Sequence, residues 1–273
     1  MSKNRESLGR GYQRVGENVT DGGRDQCEAF DMMKDLRDED IKEFETELES
    51  RDGLDEAAAQ GMKRLVKGKN VWWGDEVKRI VEDYCDEMRR VARSVMKAFE
   101  IGLGVDRGTL ENIVGDEHGF WIVRMILYPV SNSAHWNTSE KEEYGCGSHT
   151  DYGFLTFVLQ DDVSGCLKAQ GPEGSWIYAD PVPGTFVVNI GDCLESITHG
   201  ALKSTLHRVE RPVGGCRLSI PCFIEPRISW KAKRSPNRAK NEKDKGGDTF
   251  LGCRTYGEYL YSKVSTNFKF EEV

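Results

Sequence analysis

His149-Thr150-Asp151-Tyr152-Gly153, running directly into Phe154-Leu155-Thr156-Phe157-Val158-Leu159-Gln160-Asp161, is the stretch on which the reading of this chain turns. In a β-strand alternate side chains share a face, so His149 and Asp151 project together while Thr150 points away. A third ligand for the same metal has to arrive from a distant strand. His207 lies 207 − 149 = 58 residues further on, enough chain for several strands and turns. Two imidazoles and one carboxylate on one face of a metal make the facial triad of non-haem Fe(II) sites, which leaves coordination positions open for other ligands. Iron would supply the chemistry and the chain its geometry.

A His-x-Asp triplet is weak evidence by itself, and its surroundings decide. Beyond the apolar run come Pro183-Gly184-Thr185-Phe186-Val187-Val188-Asn189-Ile190-Gly191-Asp192, then Ser204-Thr205-Leu206-His207-Arg208-Val209, then Arg217-Leu218-Ser219-Ile220-Pro221. In this order and spacing the pattern resembles the isopenicillin N synthase-like family of Fe(II)/2-oxoglutarate-dependent dioxygenases, from about residue 72 to 268. The resemblance implies a mainly β fold with flanking helices, built on a double-stranded β-helix (jelly-roll) core. It also implies an oxidoreductase that uses Fe(II), O2 and the cosubstrate 2-oxoglutarate to hydroxylate, desaturate or cyclise a small organic molecule. His149, Asp151 and His207 are the expected metal ligands, and no catalytic group beyond them is expected.

Arg217 follows His207 by 217 − 207 = 10 residues, and Ser219 shares its strand face. A planar guanidinium binds a carboxylate through two parallel hydrogen bonds, and a hydroxyl two residues along adds a third. Such a pair suits the distal carboxylate of 2-oxoglutarate; the competing reading is an arginine paired with a surface acid. Phe120 to Tyr128, rich in aromatic and β-branched residues, reads as a strand that stops at Pro129. In the family the tyrosine before this proline reaches the 2-oxoglutarate carboxylate, so the resemblance gives Tyr128 that role; otherwise Tyr128 is a core tyrosine. Ile126 stands where many plant members carry Asn, which removes one polar contact to the cosubstrate. Two alternatives stay open: an Fe(II) oxidase that uses no 2-oxoglutarate, and a non-catalytic descendant that binds a ligand with a relict site.

Other candidates are bland. Cys146 is a spare thiolate ligand only if the triad is incomplete, and His118, His135 and His199 fall outside the matched ligand positions. Asn189 and Asp192 are read as holding backbone. From Asp75 the apolar residues Val77, Ile80, Val81, Tyr84, Met88, Val91, Val95, Phe99 and Leu103 recur at three- and four-residue steps, the period of one buried helix face. Asp75 can cap this long helix, Gly102 or Gly104 can end it, and it is expected to back the larger sheet. A shorter helix is expected over residues 107–113. Thr255-Tyr256-Gly257-Glu258 has capping-box spacing, with Tyr259, Leu260 and Val264 as the buried side of a last helix.

At 273 residues and 38% hydrophobic, the chain suits one domain with a substantial core. A net charge of −8 argues against a nucleic-acid partner, despite the basic run from Lys231 to Lys245, which reads as a solvated loop. No apolar run reaches membrane-span length and the first residues lack a signal-peptide core, so no membrane partner and a cytoplasmic setting are expected. The eight scattered cysteines read as reduced thiols. Residues 131–147 are expected to loop over the pocket. Residues 1–70 read as a polar N-terminal segment, partly loop-like, with one exposed helix over residues 41–48, and residues 71–273 as the oxygenase domain. No alternating apolar strand is visible before residue 50 to match the one with which family members begin. That leaves a sheet edge open through truncation, the favoured explanation, or covered by the polar segment or a second subunit, and leaves the oligomeric state undecided.

Overall fold

The computed structural model describes residues 8–114, 119–130, 144–231 and 255–267. In chain order it runs β1 (Gly11–Gln13), β2 (Val19–Thr20), β3 (Gly23–Arg24), β4 (Glu28–Met33), α1 (Asp38–Glu49), α2 (Glu56–Lys67), α3 (Asp75–Leu103) and α4 (Glu111–Val114). There follow β5 (Phe120–Tyr128), β6 (Tyr144–His149), β7 (Leu155–Gln160), β8 (Leu167–Gln170), β9 (Trp176–Tyr178), β10 (Val187–Ile190), α5 (Asp192–Ile197), β11 (His207–Glu210), β12 (Arg217–Glu225) and α6 (Tyr256–Asn267). Two antiparallel sheets form the double-stranded β-helix: a larger one in the order β1-β4-β5-β12-β7-β10 and a smaller one in the order β6-β11-β8-β9.

Alternation along the central strands sorts the side chains into two populations. On β5 the odd residues Trp121 and Val123 join the large core shared with the helices, whereas Ile126 and Tyr128 join a second cluster with Cys166, Leu167 and Val209 of the smaller sheet. On β12 the even residues Cys222 and Ile224 pack in the large core. The odd set, Arg217, Ser219, Phe223 and Glu225, therefore faces the interior. Arg217 pairs in register with Tyr128, and Ser219 with Ile126 on one side and Gln160 on the other.

The long helix α3 packs against β12, as its period requires. Its buried stripe is Val81, Cys85, Met88, Ala92 and Met96, steps of four, three, four and four residues. Ile80, expected on that face, is 55% exposed, so the stripe sits one residue round from the expectation. Asp75 is the first helical residue and Gly74 the cap; its carboxylate still complements the helix N-terminus. Gly104 ends the helix in the left-handed conformation, φ 67°, which glycine adopts without the Cβ penalty. Of the helix expected over residues 107–113, only α4 forms. The capping box is present: Thr255 N donates to Glu258 Oε2 (3.4 Å) and Glu258 N to Thr255 Oγ1 (3.3 Å). Tyr259, Leu260 and Val264 are buried as expected.

The N-terminal segment departs most from its sequence reading. Glu28–Met33 is a strand after all, paired along β5 from Glu28↔Leu127 to Met33↔Ile122, with β1 outside it. The polar segment thus lies along the sheet flank that sequence alone left open. Both faces of β4 are buried, so its pattern is not apolar-polar alternation. Phe30 and Met32 enter the helix-side core, while Ala29, Asp31 and Met33 face inward. Asp31 is tolerated there because Arg124 Nε donates to it (2.8 Å) and the Gln13 amide donates to its other oxygen. The helix expected to be exposed is α1, and Phe44 and Leu48 bury it in the core. Each such side chain contributes about 1.5–3 kcal/mol relative to exposure. The helix α2, which follows it, was not visible in the sequence.

Candidate active site

β6 ends at His149 and β11 begins at His207, and the two residues are register partners. The alternation argument holds only to the strand end, because Asp151 lies just beyond it, in the connection to β7. Its backbone carbonyl there accepts from Asp192 N at the start of α5 (2.8 Å). Asp151 Oδ1 is 3.9 Å from His149 Nε2 and 3.6 Å from His207 Nε2. One ligand atom from each residue lies within 4.8 Å of the others, the only such metal-ligating group of three among the described residues.

The surroundings orient these ligands. His149 Nδ1 lies 2.9 Å from Gly147 O and His207 Nδ1 lies 2.9 Å from Thr205 O. A carbonyl only accepts, so each Nδ1 carries the proton and each Nε2 offers a lone pair toward Asp151. Burial and the neighbouring His149 hold the His207 imidazole below its ordinary pKa, which keeps it in the neutral form a metal needs. Asn189 Nδ2 donates to Asp151 Oδ2 (3.1 Å), so Asn189 holds a ligand side chain where the sequence reading gave it a backbone role. Gly153 must be glycine, since a Cβ there would come 1.5 Å from Glu225 Oε2.

At the other end of β12, Arg217 is 1% exposed and Ser219 3%. Arg217 Nη2 donates to Gln160 Oε1 (2.7 Å), while Nε and Nη1 are buried with no hydrogen-bond partner. The guanidinium lies 5.1 Å from the centroid of the Tyr128 ring. Gly145 lets β6 close on that ring, because a Cβ there would be 2.7 Å from Tyr128 Cδ1. Tyr128 is buried, which raises its phenol pKa and keeps it protonated. The surface-acid reading of Arg217 fails on its burial. Its Nε and Nη1 donors, on different sides of the guanidinium, leave the buried charge open to an anion.

A cavity of about 110 Å³ opens beside His149 and Asp151. Asp25, Asp31, Arg124 and Glu225 are the other acidic and basic groups of its lining, and Met33, Ile122, Phe223, Leu260 and Val264 give apolar wall. Sequence reasoning missed these residues, although strand parity held a signal: Phe223 and Glu225 continue the odd series of Arg217 and Ser219, and Ile122 and Arg124 the even series of Tyr128. Glu225 Oε2 accepts from Tyr256 Oη (2.5 Å), and burial pushes the Glu225 carboxyl up to about 8.

The remaining candidates sit elsewhere. Cys146 Sγ is 3.7 Å from His149 Nδ1, the ring edge away from the ligand position, and burial pushes its thiol pKa up. His199 follows α5 and is absent from the triad. His118, His135 and residues 131–143 of the expected pocket loop lie outside the described residues, as does the basic run after Lys231.

Comparison with known proteins gives the family. The family model of the 2OG-Fe(II) oxygenase superfamily matches residues 123–226. The chain is 35% identical over 263 residues to soybean homoarginine-6-hydroxylase 2-ODD-C23, covering 95% of this chain and 72% of the relative. It is 36% identical over 262 residues to rice homoarginine-6-hydroxylase 2-ODD-233, covering 95% and 72%. A full-length Neurospora crassa protein in complex with alpha-KG and thymine superposes with a TM-score of 0.66 at 24% identity, over 97% of this chain and 79% of that one.

Proposed function

The chain belongs to the 2OG-Fe(II) oxygenase superfamily, and from that premise we propose which residues hold its cofactors and what it oxidises. It is an oxidoreductase of the 2-oxoglutarate-dependent dioxygenase class, using Fe(II), O2 and 2-oxoglutarate. His149, Asp151 and His207 hold the iron through two Nε2 atoms and one carboxylate oxygen. Arg217 and Ser219 grip the distal carboxylate of 2-oxoglutarate, and Tyr128 packs on the guanidinium beside it. Iron and cosubstrate together supply the oxidising power: 2-oxoglutarate leaves as succinate and CO2, with one atom of O2 in the succinate and the other inserted into a substrate C–H bond. The carrying observation is the pair of unmet donors on buried Arg217, because leaving a charged group unpaired in an interior is costly unless a ligand completes it.

The substrate we propose is a small amino acid with a cationic side chain, of the homoarginine kind. Two relatives that cover most of the chain are named for hydroxylating homoarginine. The cavity supports the reading on its own terms: besides Asp151 it is lined by Asp25, Asp31 and Glu225 against Arg124. Asp31 is already met by Arg124. Glu225, held protonated by burial, becomes a carboxylate partner once a guanidinium arrives to compensate its charge. The test is succinate formation by the Fe(II)-loaded protein with homoarginine, arginine and lysine. Stimulation by homoarginine, with a hydroxylated product in equal amount, is expected; succinate at the substrate-free background with all three would sink the substrate class.

No helix among the described residues is long and apolar enough to cross a membrane. We place the activity in the cytoplasm, where the seven described cysteines, all free, suit reducing conditions. With a net charge of −8, its partners are small molecules and not nucleic acid.

A further inference from the structure

The β2–β3 hairpin supplies one wall of the cavity through Asn18, Thr20 and Asp25. It rests directly on the strand that carries His149: a Cβ at Gly147 would fall 2.6 Å from Thr20 O. Asp25 fastens it there, accepting from Gly147 N (3.1 Å) and Thr20 Oγ1 (2.8 Å). Asn18 is fixed by its own backbone, whose carbonyl accepts from Asp25 N (2.9 Å).

The polar groups around the cavity mostly have partners in the fold. Asp25 holds the hairpin, Asp31 holds Arg124 and Gln13, and Glu225 accepts from Tyr256. Asn18 differs. It is 7% exposed, it lines the cavity, and its Oδ1 is buried with no hydrogen-bond partner. A carboxamide held in such a place by backbone alone gains nothing for the fold from its acceptor, since an unmet buried acceptor destabilises. A donor brought by a ligand accounts for it.

We infer that Asn18 is a specificity-determining residue, its side-chain oxygen accepting a hydrogen bond from an N–H of the substrate's cationic end. The inference rests on the cationic-substrate reading above. It places recognition on a two-strand hairpin outside both main sheets, so substrate choice can differ between relatives while the iron and 2-oxoglutarate positions stay put.

The test is calorimetric titration of homoarginine into the anaerobic protein loaded with Mn(II) and 2-oxoglutarate, alongside KM and kcat of the Fe(II) enzyme. Asn18→Leu, similar in size without an acceptor, should weaken homoarginine binding and raise its KM by roughly ten- to hundredfold. The 2-oxoglutarate Kd should stay unchanged, and the melting temperature should hold or rise, a response opposite to that of a structural hydrogen bond. Asn18→Asp, which keeps an acceptor, should retain homoarginine binding. If Asn18→Leu does not fold, Asn18→Ala carries the same expectation for binding. Wild-type affinity for homoarginine in these acceptor-less variants overturns the inference and leaves the substrate class standing. Failure of the wild type to bind homoarginine, arginine or lysine overturns both.

Discussion

Arg217 is 1% exposed, and its Nε and Nη1 nitrogens have no hydrogen-bond partner in the fold. Replacing it by Ala should therefore raise the 2-oxoglutarate concentration needed for half-saturation roughly ten- to hundredfold, since a hydrogen-bonded charge pair is worth about 1.5–3 kcal/mol. Lys should not restore it, because an ammonium lacks the two-pronged planar geometry. Steady-state titration of the cosubstrate checks this, and an unchanged KM in Arg217→Ala would remove Arg217 from the site. Glu225 makes a prediction about pH. Its carboxyl titrates near 8 in the fold against an ordinary 4.5, so between those values the folded state binds more protons than the unfolded one. The protein stability it contributes is fully present below pH 4.5 and is lost as pH rises to about 8. Glu225→Gln removes that loss. Melting curves of the iron-free proteins should show wild type falling progressively behind the variant across this window and no further above it; parallel curves would contradict the buried, protonated carboxyl.

Strands and helices explain what could and could not be read from residue order. β5 was legible because seven of its nine residues are aromatic or branched and the run ends at a proline, and β12 because Arg217 and Ser219 fix its inward parity. β4 was not, because both its faces are buried and one charged residue, Asp31, finds its partner 93 positions away on Arg124. A partner at that distance leaves no local trace. The triad itself was legible as residue types at a spacing, but its orienting groups, Asn189 and the backbone carbonyls of Gly147 and Thr205, depend on how the connections fold. The helix α1 looked exposed because acids crowd its sequence, yet Phe44 is fully buried and meets α6 at Gly257, where a Cβ would lie 2.5 Å from its ring. Phe44→Ala should destabilise the protein by about 3–5 kcal/mol in denaturant unfolding. A change below about 1 kcal/mol, ordinary for a surface position, would return α1 to the surface role that its composition implied.

Across the whole molecule, one strand joins the two halves of the chemistry. β12 carries Arg217 and Ser219 at its start and Phe223 and Glu225 at its end, so the proposed cosubstrate and substrate sites share one inward face, with His149, Asp151 and His207 supplied by β6, the turn after it and β11. The N-terminal residues belong to the same construction: β4 lines the cavity with Asp31 and Met33, and the hairpin before it contributes Asn18, Thr20 and Asp25. The central claim is that His149, Asp151 and His207 bind Fe(II) in a site where 2-oxoglutarate, held by Arg217 and Ser219, chelates the metal. It is tested most directly by adding 2-oxoglutarate to the Fe(II)-loaded protein without oxygen and recording the visible spectrum. The account predicts the weak charge-transfer band of an iron-chelated keto acid in wild type, its absence in Asp151→Ala, and its displacement to higher 2-oxoglutarate in Arg217→Ala. No band in folded wild-type protein at saturating iron and 2-oxoglutarate would contradict it.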